Sequence, residues 1–479
     1  MVDSALVHGG VVTNSTDDMS QMIKECLKDG LELGCMYARD VPGGHLLEAV
    51  MVGGRVEHIT GRVEGLTYRS LTYDAPCASL YEREIYETYG LSPIGNRDMR
   101  PLRYRTPWYH APEVNAIPHN DMIGNGIFEI PVGPIHAGII GSGHFRFSVA
   151  GEPILMMRTY LGYTRRGAEK LMETSASVDN TILTERISGD NAVAHSLAYL
   201  QTVEQDAYIP ERARYIRTIL SELERIYNHL GTISGVVTDA ALPVAAARGN
   251  VLRENMLRLN ERMCGHRQLW GMLKIGGLSK DVSDAVLEDI EKEAMKVRFD
   301  TEELVDLVIR SPSFMDRVET TGRLSYDDAV RLRTVGPVAR ASGVNRDVRK
   351  TRPYAAYDTV AMDVPICQSG DVYARLVVRK REIIESISII LQCINQIKDG
   401  QICTEVRTKD GFSVGITESP RGETIHCAHI EGGKIVRYKI RDASFPNWPA
   451  LECAVLGNIV PDFPLVNKSF DLSYSGNDL

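Results

Sequence analysis

The sequence predicts an α+β protein: a small N-terminal α+β domain, then a mainly helical domain with small peripheral β-sheets. Three observations predict it. Short β-rich runs separated by glycine turns crowd residues 17–105. A Pro-, Asn- and His-rich stretch over 106–127, with Pro107, Pro112 and Pro118, breaks any regular element and marks a connector. Beyond Gly162, apolar residues recur at spacings near i, i+3, i+4 and i+7. The expected domains are therefore 1–105 and 128–479, with 106–127 between them.

Bulk properties narrow the class. A chain of 479 residues that is 43% apolar and 24% charged is long and apolar enough for two or three buried cores. A net charge of −9 argues against nucleic acid and against an anionic membrane surface. The most apolar run, Ile387–Ile394, falls far below the roughly 18–20 residues of a spanning helix, so no direct membrane span is expected. Met1-Val2-Asp3-Ser4 lacks the basic and apolar regions of a signal peptide, which predicts a cytoplasmic location. No two of the nine cysteines are separated by two residues, so neither a zinc knuckle nor an iron–sulfur motif can be written. They are expected buried and reduced.

In order along the chain, Met22–Leu27 has helical spacing and stops at Lys28-Asp29-Gly30. Glu32–Val41, His45–Val52, Arg55–Val63 and Thr67–Thr72 are predicted strands, and Tyr81–Leu91 is an acidic amphipathic helix ended by Gly90. The second domain opens with strands at Phe128–Pro131, Gly143–Val149 and Pro153–Thr159. Helices are predicted over Ala168–Glu173, Ala192–Val203, Arg212–Leu230, Asn250–Lys274 and Arg379–Ile397. Strands return at Gln401–Val406, Gly411–Thr417 and Lys434–Ile440.

Two stretches carry the chemistry. In Glu185-Arg186-Ile187-Ser188-Gly189-Asp190-Asn191-Ala192-Val193-Ala194-His195, a helix would put Ser188, Asn191 and His195 on one face. The far stretch is Ser469-Phe470-Asp471-Leu472-Ser473-Tyr474-Ser475-Gly476. Together they resemble the two metal-binding motifs of the large subunit of nickel–iron hydrogenases, in the energy-converting branch shared with complex I. Each motif in that family contains Cys-x-x-Cys, and four thiolates hold the metals. Here the matching positions are Ser188, Asn191, Ser473 and Gly476. Serine, asparagine and glycine are poor ligands for soft metals, so no nickel–iron centre is expected. A hard ion on Asp471 stays open, as does the content of the site: either a polar cavity that binds substrate or passes protons, or a hydrogen-bonded plug.

The resemblance extends over roughly residues 80–479. Tyr81–Leu91 with Gly95–Leu102 looks like the closing signature of the small complex I accessory subunit, fused upstream. Gly162-Tyr163-Thr164-Arg165-Arg166-Gly167-Ala168-Glu169-Lys170 resembles a family landmark, which implies that Arg165, Arg166 and Glu169 mark the junction with an iron–sulfur subunit. Further matching segments are Ile275-Gly276-Gly277, Gly336–Gly343, Val348–Tyr357, Gly370–Arg375 and Glu418–Glu423. By position, Glu185 and His195 would carry protons, and Arg421 would stabilise an anion over the emptied site. Glu185 read alone is more often a salt-bridged structural carboxylate. The quinone-binding histidine and tyrosine of complex I fall on Ile140 and Ser177, and His136 matches only the first histidine of its loop, which weakens a quinone-reducing alternative. A Ser188/His195/Asp471 hydrolase set lacks a nucleophile elbow.

The resemblance thus implies the large subunit of a complex I-related, energy-converting membrane oxidoreductase, peripheral to the membrane on the cytoplasmic side. Its expected partners are a small iron–sulfur subunit carrying the terminal cluster, a ferredoxin-like iron–sulfur subunit and antiporter-like membrane subunits. Electrons would come from ferredoxin or NAD(P)H, and this chain would hold no cofactor itself. A non-catalytic coupling or scaffold subunit is the remaining alternative.

Overall fold

A computed structural model of the chain describes residues 10–103, 122, 124–136 and 140–479, so most of the predicted connector, including Pro107, Pro112 and Pro118, lies outside the described residues. The first unit contains β1 (Val11–Thr13), α1 (Thr16–Lys28), β2 (Glu32–Val41), β3 (Gly44–Val52), β4 (Val56–Val63), β5 (Thr67–Arg69), α2 (Ala78–Tyr89) and β6 (Ser92–Ile94). Its main sheet has the order β1-β4-β3-β2, with β1 parallel to β4 and the other pairs antiparallel. Ser15 caps α1 by accepting the Asp18 N–H at 3.1 Å. Gly90 ends α2 in a left-handed conformation (φ 71°) that favours glycine.

This sheet does not close its core alone. Ile23, Cys35, Ala49, Ile59 and Ile85 pack with Val414, Ile416, Ile425 and Cys427 from the far end of the sequence. The approach is close: a Cβ on Gly34 would stand 2.9 Å from Ile425 Cδ1.

The next unit opens with an antiparallel meander of β7 (Ile127–Val132), β8 (His144–Ala150) and β9 (Ile154–Tyr160). Helices follow: α3 (Ala168–Thr174), α4 (Thr181–Thr184), α5 (Ala192–Glu204), α6 (Glu211–Asp239) and α7 (Pro243–Cys264). The short pair β10 (Leu273–Lys274) and β11 (Gly277–Leu278) precedes α8 (Asp284–Ile309) and four short helices, α9 (Pro312–Val318), α10 (Tyr326–Arg331), α11 (Gly336–Ala341) and α12 (Val348–Thr351). Then come α13 (Val372–Gln396), the antiparallel sheet β12 (Gly411–Ser419), β13 (Gly422–Glu431) and β14 (Lys434–Arg441), and α14 (Ser444–Ala454), α15 (Phe463–Phe470) and α16 (Tyr474–Asp478).

The axis of this unit is α6, packed against α7 and α13. It is buried on nearly every side, including Glu222 and Arg225. Those charges are paired: Glu222 with Arg225 (3.2 Å) and Arg349 (3.1 Å), while Arg340 reaches Glu382 and Glu418, each at 2.8 Å. Buried ions persist only with such partners.

Three predicted elements differ. The helix expected to Lys274 starts earlier, at Pro243, and stops at Cys264, where Gly265 is left-handed (φ 81°). Residues 401–406 are not a strand; Cys403 only bridges Gly277. The central strand β13 was not anticipated. Glu423, Thr424, His426 and His429 interrupt its apolar pattern, and all are buried because distant side chains satisfy the charged and imidazole groups.

Candidate functional site

The site forms where the loop before α5 meets α16 and the end of β14. Helix α5 begins only at Ala192, so Ser188 and Asn191 do not share a helical face with His195. Ser188 lies in a tight turn whose carbonyl accepts the Asn191 N–H at 2.8 Å, and the Asn191 carbonyl accepts the His195 N–H at 3.2 Å. The side chain that caps α5 comes from α6 instead. Glu224 accepts the Val193 and Ala194 N–H groups at 2.7 and 3.0 Å. Burial pushes its carboxyl up to about 8 despite these two bonds. The Asn191 side chain is thereby left fully buried with no partner on either polar atom.

The two sequence motifs do meet. Ser188 Oγ and Ser473 Oγ are 2.8 Å apart, and Ser473 caps α16 by accepting the Gly476 N–H at 3.0 Å. A Cβ on Gly476 would stand 2.6 Å from Asp442 Oδ2, so a carboxylate fills the space next to this position.

From Asp442 a buried chain of hydrogen bonds runs inward. Asp442 Oδ2 lies 3.0 Å from His195 Nε2, His195 Nδ1 lies 2.9 Å from His426 Nε2, and His426 Nδ1 lies 2.7 Å from the Tyr438 hydroxyl. None of the four is more than 1% exposed. Burial works to raise the Asp442 carboxyl, but the His195 contact holds it below its ordinary range. Burial, with His195 adding to it, drives His426 well below the usual histidine range, so that ring is neutral.

Arg421 projects from the β12–β13 turn into the same region. It donates to Asp190 Oδ2 at 2.8 Å and lies 3.4 Å from Asp471 Oδ2, while its Nε donates to the Asp471 carbonyl. Asp190 in turn accepts from Ser188 at 3.0 Å. Although burial opposes it, Arg421 holds the Asp190 carboxyl down to about 2. The guanidinium is therefore already balanced by two carboxylates; only its Nη1 has no partner.

Glu185 is buried, and its carboxylate accepts the Gly271 N–H at 2.6 Å. Burial raises its carboxyl, outweighing that bond and the charge of Arg186. Arg186 lies over the Trp270 ring at 3.8 Å, and the Trp270 indole N–H donates to the Gly189 carbonyl at 3.0 Å. The residues expected at the junction are spread along one neighbouring segment. Arg166 donates to the Arg186 and Ile187 carbonyls at 2.5 and 2.7 Å, which fixes the turn into Ser188. Glu169 pairs with Lys439 at 3.0 Å, and Arg165 is half-buried. His136 bonds the Gly143 carbonyl at 2.7 Å within its own loop, while Ile140 and Ser177 are exposed.

Sequence reasoning missed Asp190, Glu224, His426, Tyr438 and Asp442. Asp190 lay inside the motif and was readable as an ion partner. The others come from remote elements with no spacing signal.

Comparison with known proteins gives the family. The family described as respiratory-chain NADH dehydrogenase, 49 Kd subunit, matches residues 246–411. Formate hydrogenlyase subunit 5 of Escherichia coli (strain K12) is 33% identical over 436 residues, covering 86% of this chain and 77% of that protein. Hydrogenase-4 component G of the same organism is 31% identical over 435 residues, covering 86% and 76%. NADH-quinone oxidoreductase subunit 4 of Thermus thermophilus is 32% identical over 379 residues, covering 72% and 92%. The chain belongs to the family of the respiratory-chain NADH dehydrogenase 49 Kd subunit, which it shares with these hydrogenase and oxidoreductase subunits.

Proposed function

We propose that this chain is the hydrogenase-like large subunit of a complex I-related, energy-converting membrane oxidoreductase, and that it works without a nickel–iron centre. Such a centre takes thiolates. Ser188, Ser473, Asn191 and Gly476 offer two hydroxyls, an amide and no side chain, and Asp442 crowds the last position. The residues present do not fit the metals.

The observation that carries the reading is the hydrogen-bonded chain from Asp442 through His195 and His426 to Tyr438, starting beside the emptied ligand positions. Each imidazole can accept a proton at one nitrogen and release one at the other, which suits stepwise proton transfer. The unpartnered Asn191 amide offers both donors and an acceptor to a water or small substrate in the same space. In this reading a small iron–sulfur subunit, carrying the terminal cluster, packs near Arg165, Arg166 and Glu169. A ferredoxin-like subunit relays electrons from ferredoxin or NAD(P)H, and proton movement at His195 and Glu185 is coupled to antiporter-like membrane subunits. No helix among the described residues is long and apolar enough to cross a membrane, so attachment would run through those partners. The chain would then sit peripherally on the cytoplasmic face.

The Ser188–Ser473 bond and the Asp442–Gly476 contact also favour a second reading, a filled remnant in a coupling scaffold. Turnover of the intact complex separates the two. Proton relay predicts that His195→Gln lowers turnover about 100-fold while assembly and cluster reduction are unchanged. Unchanged turnover would leave the scaffold reading standing.

A further inference from the structure

Away from this site, three strands bring metal-ligating side chains to one point. Glu48 on β3 lies opposite Tyr37 on β2, His58 reaches over from β4, and His429 arrives from β13 in the other sheet. We propose that Glu48, His58 and His429, with the Tyr37 hydroxyl, bind one zinc-like divalent transition-metal ion that clamps the N-terminal sheet to the sheet β12–β13–β14.

Glu48 Oε2 lies 2.7 Å from the Tyr37 hydroxyl, 3.1 Å from His58 Nε2 and 2.5 Å from His429 Nε2. The Tyr37 hydroxyl is 3.2 Å from His429 Nε2. Three polar atoms thus crowd one carboxylate oxygen, and each ring nitrogen offers a metal its lone pair in the matching tautomer. Tetrahedral zinc with bonds of about 2.1 Å keeps its ligand atoms roughly 3.4 Å apart. The cluster needs only a small expansion to admit the ion. The other carboxylate oxygen accepts from Arg39 Nε at 2.7 Å, an outer contact that fixes the direction of Oε2.

The surroundings and the chemistry agree. Glu48, Tyr37, His58 and His429 are all buried, and the Phe412 ring stacks on His58 at 3.6 Å. Two imidazoles and a carboxylate select zinc and its neighbours over magnesium or calcium. The Cys35 and Cys427 thiols, 3.6 Å apart, sit two residues before Tyr37 and His429 on the same strands. They are the rival ligands.

The test strips the full-length chain with a chelator, dialyses it against Co²⁺ or Zn²⁺, and counts bound ions by mass spectrometry. One ion per chain is expected, lost at least about tenfold in His429→Gln and His58→Gln, together with a zinc-dependent rise in melting temperature seen only in the wild type. The wild-type cobalt spectrum decides even if a variant misfolds. No stoichiometric ion on the wild type, equal binding by a folded His429→Gln, or a thiolate-to-cobalt band from Cys35 and Cys427 would overturn the proposal.

Discussion

Gly476 carries an unusually direct consequence for its size. Its missing side chain leaves room for the Asp442 carboxylate, which in turn holds His195. Gly476→Ala should cost about 1–3 kcal/mol by overpacking. The double variant Gly476→Ala/Asp442→Ala should cost less than the sum of the two single changes, measured by chemical denaturation, because the clash goes with the carboxylate. The same local view shows what could be read in advance. Ser188 and Ser473 were paired through the resemblance of their motifs, and they touch. Asp442, His426 and Tyr438 were invisible, since each joins the site from a different strand or strand end and no local pattern marks a buried polar residue whose partner is distant.

At the scale of elements, the start of α5 depends on a carboxylate that the helix does not contain. Glu224 serves two N–H groups there, with a carboxyl raised by burial from its ordinary 4.5 to about 8. Between those values the folded chain keeps a proton that the unfolded chain has released, so stability falls as pH rises through this window. The slope from this one group is about 1.4 kcal/mol per pH unit. Glu224→Gln should flatten the fall between pH 5 and 8 (about the window just given), as read from urea midpoints. Strands β2 and β3 were legible because each is a short, largely apolar run set between glycine turns. The end of α7 was not, because periodicity continues past Cys264 while Gly265 turns the backbone. Nor was β13, whose Glu423, His426 and His429 are satisfied by α11-flanking, α5 and N-terminal groups far away in sequence.

Across the whole molecule, buried charge ties α6, α11, α12 and α13 to the strand that leads into Arg421. Arg340 alone links Glu382, Asp347 and Glu418, and all are buried. Arg340→Leu would strand these carboxylates and should cost about 3–5 kcal/mol, seen as a lower denaturation midpoint. The family membership and the mixed helix-and-sheet architecture followed from motifs and periodicity. What could not follow was how the space around Ser188, Asn191, Ser473 and Gly476 is occupied, because that depends on Asp442, Asn191 and Glu224, which only the assembled fold brings together. Nickel content of the purified, active complex decides whether the site works without the metal. Full turnover is expected with nickel far below one atom per chain. One nickel per chain, lost together with activity on chelation, would contradict it.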